Sequence, residues 1–201
     1  MSDLETKEKI IKFARILFAD KGYEGTSIRE IAKLAGVNVA SVNYYFSSKE
    51  KLFQEILQAA YETCSNEMKA ISKRKEGDLA EILVDFFRYL TANSPDLLSH
   101  YKMMMSSQHS HNLTSHGTED GIYGPPGGMI IATSLKREIP DLSLGDLHWA
   151  LKTLFSHVSH ISLIYTCCLK TESQIPFSGS EDLEKGIRRL TRLVLNELRN
   201  L

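Results

Sequence analysis

Residues 26–46 have the sequence TSIREIAKLAGVNVASVNYYF, which predicts two short helices joined by a tight turn. Apolar residues recur in its first half at i, i+3, i+4 and i+7, the spacing of one helix face. These residues are Ile28, Ile31, Ala32 and Ala35. Ser27 followed by Glu30 has the form of a capping box, so the first helix begins here, with Thr26 as the rival cap. Gly36 can then close the helix in a left-handed conformation.

The second half of this stretch predicts a helix with one buried and one open face. Asn38 can cap this helix. Its inward positions are Val42, Tyr45 and Phe46. Its outward positions are small and polar at the start and aromatic at the end, namely Val39, Ala40, Ser41, Asn43 and Tyr44. Such a face suits a helix in the DNA major groove with its N-terminal residues against base edges. Ala32 leaves room for the two helices to meet, so the pattern predicts a helix-turn-helix.

The longer segment GYEGTSIREIAKLAGVNVASVNYYFSSKEKLF, residues 22–53, resembles the DNA-binding domain of the TetR family of bacterial transcriptional regulators. The resemblance runs from about Lys7 to Phe53. It implies that the preceding helix braces the helix-turn-helix and touches a phosphate near its start. It also implies a larger set of DNA-binding residues, which is Thr26, Ser27, Arg29, Asn38, Val39, Ala40, Ser41, Asn43, Tyr44, Tyr45 and Lys49. Many family members carry Tyr, a variable residue and His before the Phe, where this chain has Asn43, Tyr44 and Tyr45, so the base preference stays open.

Charge and composition set limits on the class of protein. The 201 residues have a net charge of −1, so no global basic character indicates nucleic-acid binding. Residues 1–49 hold eight Lys/Arg against six Asp/Glu, the sign expected of a DNA-binding head on a more acidic body. The three cysteines do not form a disulfide framework. The sequence lacks an apolar leader and any run near the ~20 apolar residues of a membrane span, which predicts a cytoplasmic protein with no membrane contact.

Helical periodicity is lost over residues 106–126 but otherwise continues to the C-terminus, and no alternating strand pattern competes with it. The sequence therefore predicts an all-α protein of about nine helices. A three-helix head at residues 1–47 would carry a larger helical effector-binding and dimerisation body at residues 48–201. Outside the helix-turn-helix, the predicted helices are 5–21, 47–73, 78–91, 94–105, 129–138, 146–170 and 180–198. Ser47, Ser94 and Ser180 are the predicted caps of three of them.

The last two helices carry apolar residues over more than one face, whereas packing on one side needs a stripe of only about 100°. A symmetric partner is one explanation, because homodimers dominate soluble oligomers and a four-helix dimer bundle resembles the TetR-family arrangement. A helix buried in a monomeric core is the other. Both explanations stay open for the helix from Asp146, and the dimer is favoured for the last helix. The predicted interface residues are Leu154, Val158, Ile161, Leu190, Val194 and Leu198.

Aromatic residues and adaptable methionines in the body predict an effector cavity. Its predicted wall is Phe86, Phe87, Tyr101, Met104, Met105, Met129, Phe155, His157 and His160. For any single one of these residues ordinary core packing is the better interpretation, and only the group indicates a cavity. The wall is mainly apolar, so the predicted effector is a small organic compound held by burial and oriented by one or two histidines.

Metal binding and enzyme chemistry find little support. His109, His111 and His116 could bind zinc, copper or nickel. No nearby Cys or carboxylate pair completes a recognised spacing, so a polar loop is favoured and neither metal nor cofactor is predicted. The chain has no Gly-rich phosphate loop, no HExxH and no nucleophile elbow, so no enzyme activity is predicted.

The sequence thus predicts a ligand-responsive transcriptional regulator. It would act as a repressor that binds a pseudo-palindromic operator in double-stranded DNA as a homodimer, and a small apolar effector would release it. The alternative is an all-α small-molecule binding protein or enzyme whose helix-turn-helix is vestigial.

Overall fold

The computed structural model describes residues 3–75, 77–105, 125–169 and 179–201. Within these ranges the chain forms α-helices and no strand. In chain order the helices are α1 (Asp3–Lys21), α2 (Ile28–Ala35), α3 (Val39–Phe46), α4 (Lys49–Arg74), α5 (Leu79–Ala92), α6 (Ser94–Met105), α7 (Gly128–Glu138), α8 (Leu144–Ile164) and α9 (Ser180–Arg199). A π-helical turn, Tyr165–Leu169, continues α8. The all-α prediction is confirmed. None of the helices in the described ranges is long and apolar enough to cross a membrane.

The described residues form two compact units. The head unit contains residues 3–61 and 98–105, and the body unit contains the described residues of 62–97 and 125–201. Helix α4 begins in the head unit and ends in the body unit. The division after residue 47 stays a prediction of where the DNA-binding domain ends.

Both helices of the predicted helix-turn-helix are closed by the caps that the sequence predicted. The Ser27 hydroxyl accepts from the Glu30 backbone N–H at 3.2 Å, and the Glu30 carboxylate accepts from the Ser27 N–H at 3.0 Å. Gly36 ends α2 with a φ of 67°. Asn38 Oδ1 accepts from the Ser41 N–H at 2.7 Å and so caps α3. Because α2 and α3 are only eight residues long, these caps and tertiary packing are what stabilise them.

The core of the head unit packs α1, α2, α3 and the first half of α4 together. Phe18 meets Phe53 edge-on with 5.0 Å between ring centroids, and Tyr23 meets Phe53 at 5.1 Å. Ala32 is 2% exposed, as expected of a small residue where two short helices approach each other.

The core of the body unit lies among α5, α7, α8, α9 and the second half of α4. Helix α5 packs against both α8 and α9, and α7 packs against α8. The largest buried side chains of the body core include Phe86, Phe87, Met68 and Ile71. The tight turn before α7 is closed by a hydrogen bond from the Gly128 N–H to the Pro125 carbonyl at 2.8 Å.

Two predicted caps lie one residue from the true cap. The Ser48 hydroxyl, not that of Ser47, caps α4, because it accepts from the Lys51 N–H at 3.1 Å. Ser47 instead ends α3, with a φ of 61°. Gly179 holds the N-cap position of α9 without a side-chain hydrogen bond, so the predicted cap Ser180 is the first helical residue.

Two helices begin earlier than predicted. Helix α6 includes Ser94 as its first helical residue, whereas the sequence predicted Ser94 as the cap of this helix. Helix α8 begins at Leu144, because the Ser143 hydroxyl caps it by accepting from the Asp146 N–H at 3.2 Å.

Candidate nucleic-acid interface

The outward face of α3 is open to solvent. Tyr44 is 78% exposed and Val39 is 38% exposed, and Ala40 and Asn43 are exposed as well. On the opposite side of the helix Val42 and Phe46 are buried, and Tyr45 is half-buried. Helix α3 therefore exposes four of the five residues that the sequence predicted to face outward, while the fifth, Ser41, is half-buried.

The first turn of α3 combines a capped helix end with small side chains. Asn38 Oδ1 accepts from the Ser41 hydroxyl at 3.0 Å as well as from its backbone N–H. Ser41 is half-buried, while Asn38, Val39 and Ala40 are exposed. The N-terminus of a helix carries partial positive charge, and small side chains let another molecule approach it closely. This end of α3 can therefore lie close to a polyanion.

Two exposed cations follow the cap of α2. Arg29 and Lys33 are both exposed, and residues four apart lie on the same helix face. Neither forms an ion pair with another residue in the described part of the chain. Lys33 was not among the predicted DNA-binding residues, although its spacing from Arg29 is a signal that could have included it.

The two tyrosines at the end of α3 have different surroundings. The Tyr45 hydroxyl donates to Asp3 Oδ1 of α1 at 3.0 Å, whereas Tyr44 extends into solvent. Burial raises the pKa of the Tyr45 phenol first, and the hydrogen bond to Asp3 raises it further. Tyr45 therefore stays protonated at neutral pH and fastens α3 to α1. Tyr44 meets the Tyr45 ring edge-on at 5.2 Å between centroids.

The polar groups of Thr26 and Ser27 are already bonded within the head unit. Thr26 is 2% exposed, and its hydroxyl donates to the Gly22 carbonyl at 2.8 Å. The Ser27 hydroxyl donates to the Glu30 carboxylate at 2.8 Å while it caps α2. A hydrogen bond from Lys21, followed by those from Ser27, lowers the pKa of Glu30 to about 2. Both hydroxyls thus hold the start of α2, and their contact with DNA stays a prediction.

Lys49 points into the head unit. Its Nζ donates to the backbone carbonyls of Tyr23 at 2.9 Å and Thr26 at 3.1 Å. It also lies 4.2 Å from the centroid of the Tyr23 ring. The sequence placed Lys49 among the DNA-binding residues, and the structure gives its ammonium intramolecular partners.

The predicted effector wall divides between the two units. Phe86 and Phe87 are buried in the body core, and Phe155 and Met129 pack against that core. Tyr101 belongs to the head unit. The side chains of Met104 and Met105 lie outside the described part of the structure.

The body unit also contains aromatic ring contacts and two histidines of α8. Phe87 contacts the Tyr165 ring at 5.8 Å between centroids, and Phe86 contacts Phe155 at 6.2 Å. His157 is half-buried and His160 is exposed. Burial lowers the pKa of His157 first, and the nearby charge of His160 lowers it further. His157 is therefore neutral at pH 7 and able to hydrogen-bond an uncharged molecule.

The possible metal ligands His109, His111 and His116 lie outside the described residues. Among the residues that are described, no three His, Cys, Asp or Glu side chains are grouped to hold a metal ion.

Most of the predicted dimer residues fill the core of this chain. Leu154, Val158, Val194 and Leu198 are each at most 3% exposed. Ile161 and Leu190 are half-buried at the edge of the core. The exposed large apolar side chains on the same two helices are Leu144, Trp149, Ile164 and Leu193, at 60%, 47%, 37% and 57% exposure. The role of the six predicted residues in a dimer stays a prediction.

This head unit matches a known family. Residues 10–56 fit the family model described as bacterial regulatory proteins, tetR family. The predicted resemblance of the head to the TetR family is therefore confirmed. Members of the TetR family are regulators and not enzymes, so the prediction that this chain is not an enzyme is confirmed.

Two relatives share part of the sequence of this chain. YttP of Bacillus subtilis strain 168, named as an HTH-type transcriptional regulator, is 37% identical over 91 residues, which are 43% of this chain and 44% of YttP. IcaR of Staphylococcus aureus strain Newman, an HTH-type negative transcriptional regulator of the biofilm operon icaADBC, is 37% identical over 60 residues, 30% of this chain and 32% of IcaR. The chain thus matches less than half the length of either relative.

The fold extends further than the sequence match. The crystal structure of a protein from Mesorhizobium loti MAFF303099 assigned to the TetR family superposes with a TM-score of 0.65. The superposition covers 98% of both chains at 18% sequence identity. The helical fold of this chain is therefore that of a TetR-family protein along its length.

Proposed function

We propose that this TetR-family protein is a DNA-binding regulator of transcription that places α3 in the major groove of its operator. The exposed face of α3 carries this proposal. Its small residues Val39 and Ala40 allow close approach to base edges, and Asn43 and Tyr44 supply polar groups that can bond to them. Arg29 and Lys33 on α2 are free to neutralise phosphates beside the groove.

Binding of the purified protein to the DNA upstream of its own gene tests this function. We expect the double variant Asn43→Ala/Tyr44→Ala to lose about 1–3 kcal/mol of specific binding free energy for each base contact removed. Its binding to unrelated DNA should change little, since phosphate contacts supply that term. Asn66→Ala, which removes an exposed amide of α4 in the body unit, is the matched control.

Unchanged operator affinity in the double variant, with unchanged melting, would contradict the proposed interface. If the wild-type protein binds small molecules but shows no preference for its upstream DNA, the alternative of a binding protein with a vestigial helix-turn-helix would replace the regulator.

Repression by a homodimer is part of the proposal. IcaR, which matches this chain over 60 residues, is named as a negative regulator, and this supports a repressor. Paired helix-turn-helix heads bind half-sites about one helical turn apart, which calls for a two-fold symmetric protein and a pseudo-palindromic operator. Exposed Leu193, beside the half-buried Leu190, offers apolar surface for such a partner. Because the proposed partner is operator DNA, we propose that the protein acts in the cytoplasm.

A small apolar organic effector is the proposed signal. The aromatic contacts of Phe86 and Phe87 in the body core and the neutral His157 support a ligand held by burial with one hydrogen bond. Such a ligand weakens operator binding only by its differential affinity for the two protein conformations.

Release from DNA should be followed while apolar compounds and divalent metals are titrated. Release by zinc that disappears in His109→Ala/His111→Ala would replace the organic effector with a metal.

A further inference from the structure

The ammonium group of Lys49 ties the beginning of α4 to the turn that precedes α2. Lys49 is the first residue of α4, and its Nζ donates to the carbonyls of Tyr23 at 2.9 Å and Thr26 at 3.1 Å. Thr26 directly precedes Ser27, the N-cap of α2. One side chain therefore joins the two ends of the segment that contains α2 and α3.

The turn that receives this ammonium is itself well ordered by local bonds. The Thr26 hydroxyl donates to the Gly22 carbonyl at 2.8 Å, and the Thr26 N–H donates to the Tyr23 carbonyl at 3.3 Å. Tyr23 is 8% exposed and packs against Phe18 and Phe53. The carbonyls that accept from Lys49 thus belong to a fixed part of the head core.

Helix propensity does not account for a cation at this position. A positive charge in the first turn of a helix is opposed by the helix dipole. The two carbonyls and the Tyr23 ring face, 4.2 Å from Nζ, instead provide the negative surroundings that a half-buried ammonium needs. The tertiary contact, not the helix, explains why Lys49 stands here.

We propose that Lys49 is a positioning residue, which holds α3 in its DNA-binding orientation by closing the loop from Thr26 to the start of α4, and that it does not bind a DNA phosphate. This inference rests on the proposed function. Helix α3 leads into α4 through Ser47 and Ser48 alone, so an anchored first turn of α4 sets where α3 ends. Anchoring the turn before α2 to the same ammonium sets where the helix-turn-helix begins.

Salt dependence of DNA binding separates the two roles. In Lys49→Met, which keeps the aliphatic stem and loses the donors, we expect operator affinity to fall at least tenfold while affinity for unrelated DNA changes less than about threefold. The slope of log K against log salt should stay as in wild type. Loss of a phosphate contact would instead lower that slope by about 1 and weaken binding to both DNAs alike, which would overturn the proposal. Lys51→Met, an exposed lysine of the same helical turn, is the matched control.

A second variant and a second measurement cover the remaining outcomes. If Lys49→Met does not fold, Lys49→Gln replaces it, because glutamine retains an N–H donor without the charge. An unchanged salt slope in Lys49→Gln would support the proposal. A slope lowered by about 1 would overturn it. Amide hydrogen exchange without DNA should show faster exchange for the first turn of α2 in the Lys49 variant than in Lys51→Met. Equal exchange rates in the Lys49 variant and in Lys51→Met would contradict the proposed link between the start of α4 and the turn before α2. Failure of the wild-type protein to prefer its upstream DNA would refute the proposed function. The hydrogen-exchange result would still decide whether Lys49 holds the start of α4 to the turn before α2.

Discussion

Arg88 of α5 and Glu184 of α9 form a two-point ion pair. Arg88 Nε donates to Glu184 Oε1 at 2.8 Å, and Nη2 donates to Oε2 at 2.7 Å. The Glu184 side chain is 12% exposed and that of Arg88 is 51% exposed. Asp85 accepts from Arg88 at 2.8 Å, and Arg188 donates to Glu81 at 2.6 Å. These alternating charges join α5 to α9 beside the body core.

Removal of Glu184 should destabilise the body unit more than removal of an exposed charge on the same helix. We expect Glu184→Ala to lower the free energy of unfolding by about 1–2 kcal/mol, since hydrogen bonds to charged groups are strong but Arg88 can be rehydrated. Lys185→Ala breaks the exposed pair with Asp182 and should cost less than about 0.5 kcal/mol. Urea denaturation of both variants provides the measurement. Equal losses of unfolding free energy would show that the α5–α9 network stabilises the body no more than an exposed ion pair does.

Acid should remove the stabilising effect of the Glu30 carboxylate. Its pKa is lowered from 4.5 to about 2, first by the hydrogen bond from Lys21 and then by those from Ser27. A folded-state pKa below the unfolded value gives stability that is complete above about pH 4.5 and disappears as the pH falls towards 2. The difference in urea midpoint between wild type and Glu30→Gln should therefore shrink over this range. Glu24→Gln, an exposed carboxylate in the head unit, is the control. A difference independent of pH would contradict this role of Glu30.

Alanine should have opposite effects at Gly127 and Gly186. Gly127 has a φ of 74°, and a Cβ there would lie 2.4 Å from Met68 Sδ. We expect Gly127→Ala to destabilise the body by about 1–3 kcal/mol. A Cβ at Gly186 in α9 would meet no atom within 4 Å, so Gly186→Ala should stabilise by up to about 1 kcal/mol. Thermal melting measures both, and destabilisation of similar size in the two variants would contradict the expected close contact at Gly127.

Adjacent residues of α9 should separate folding from dimerisation. Val194 is 3% exposed in the chain's own core, so Val194→Asp should unfold the body by burying an unpaired charge. Leu193 is 57% exposed, so Leu193→Asp should keep the fold and weaken the proposed dimer. Circular dichroism and light scattering together distinguish the two results. A Leu193→Asp protein that remains as dimeric as wild type would place the interface on another surface.

Local chemistry explains which features of the head the sequence predicted correctly. The caps at Ser27, Gly36 and Asn38 depend on residues within a few positions of each, so the sequence contains all the information needed. The cap of α4 was wrong by one residue because Ser47 and Ser48 are chemically alike. The backbone distinguishes the two serines, because Ser47 has a positive φ and Ser48 is therefore the residue that caps α4.

Tertiary contacts explain what the sequence could not predict. The carbonyls that Lys49 binds lie 23 and 26 residues earlier in the chain, and no periodic pattern marks such a pairing. Apolar stripes on α8 and α9 were predicted correctly, but a stripe does not show what covers it. Leu154 and Val158 are covered by the body core of the same chain, whereas Trp149 is left exposed.

The hydrophobic cores of the head and body units have no buried residue in common among those that the structure describes. A close-packed core absorbs a change of side-chain volume among its own neighbours, so each core can accept substitutions on its own terms. The family match at residues 10–56 lies wholly within the head unit, while the fold persists over 98% of the chain at 18% identity. Substitutions in the body core can therefore be accommodated without any change of side-chain packing in the core that supports α2 and α3.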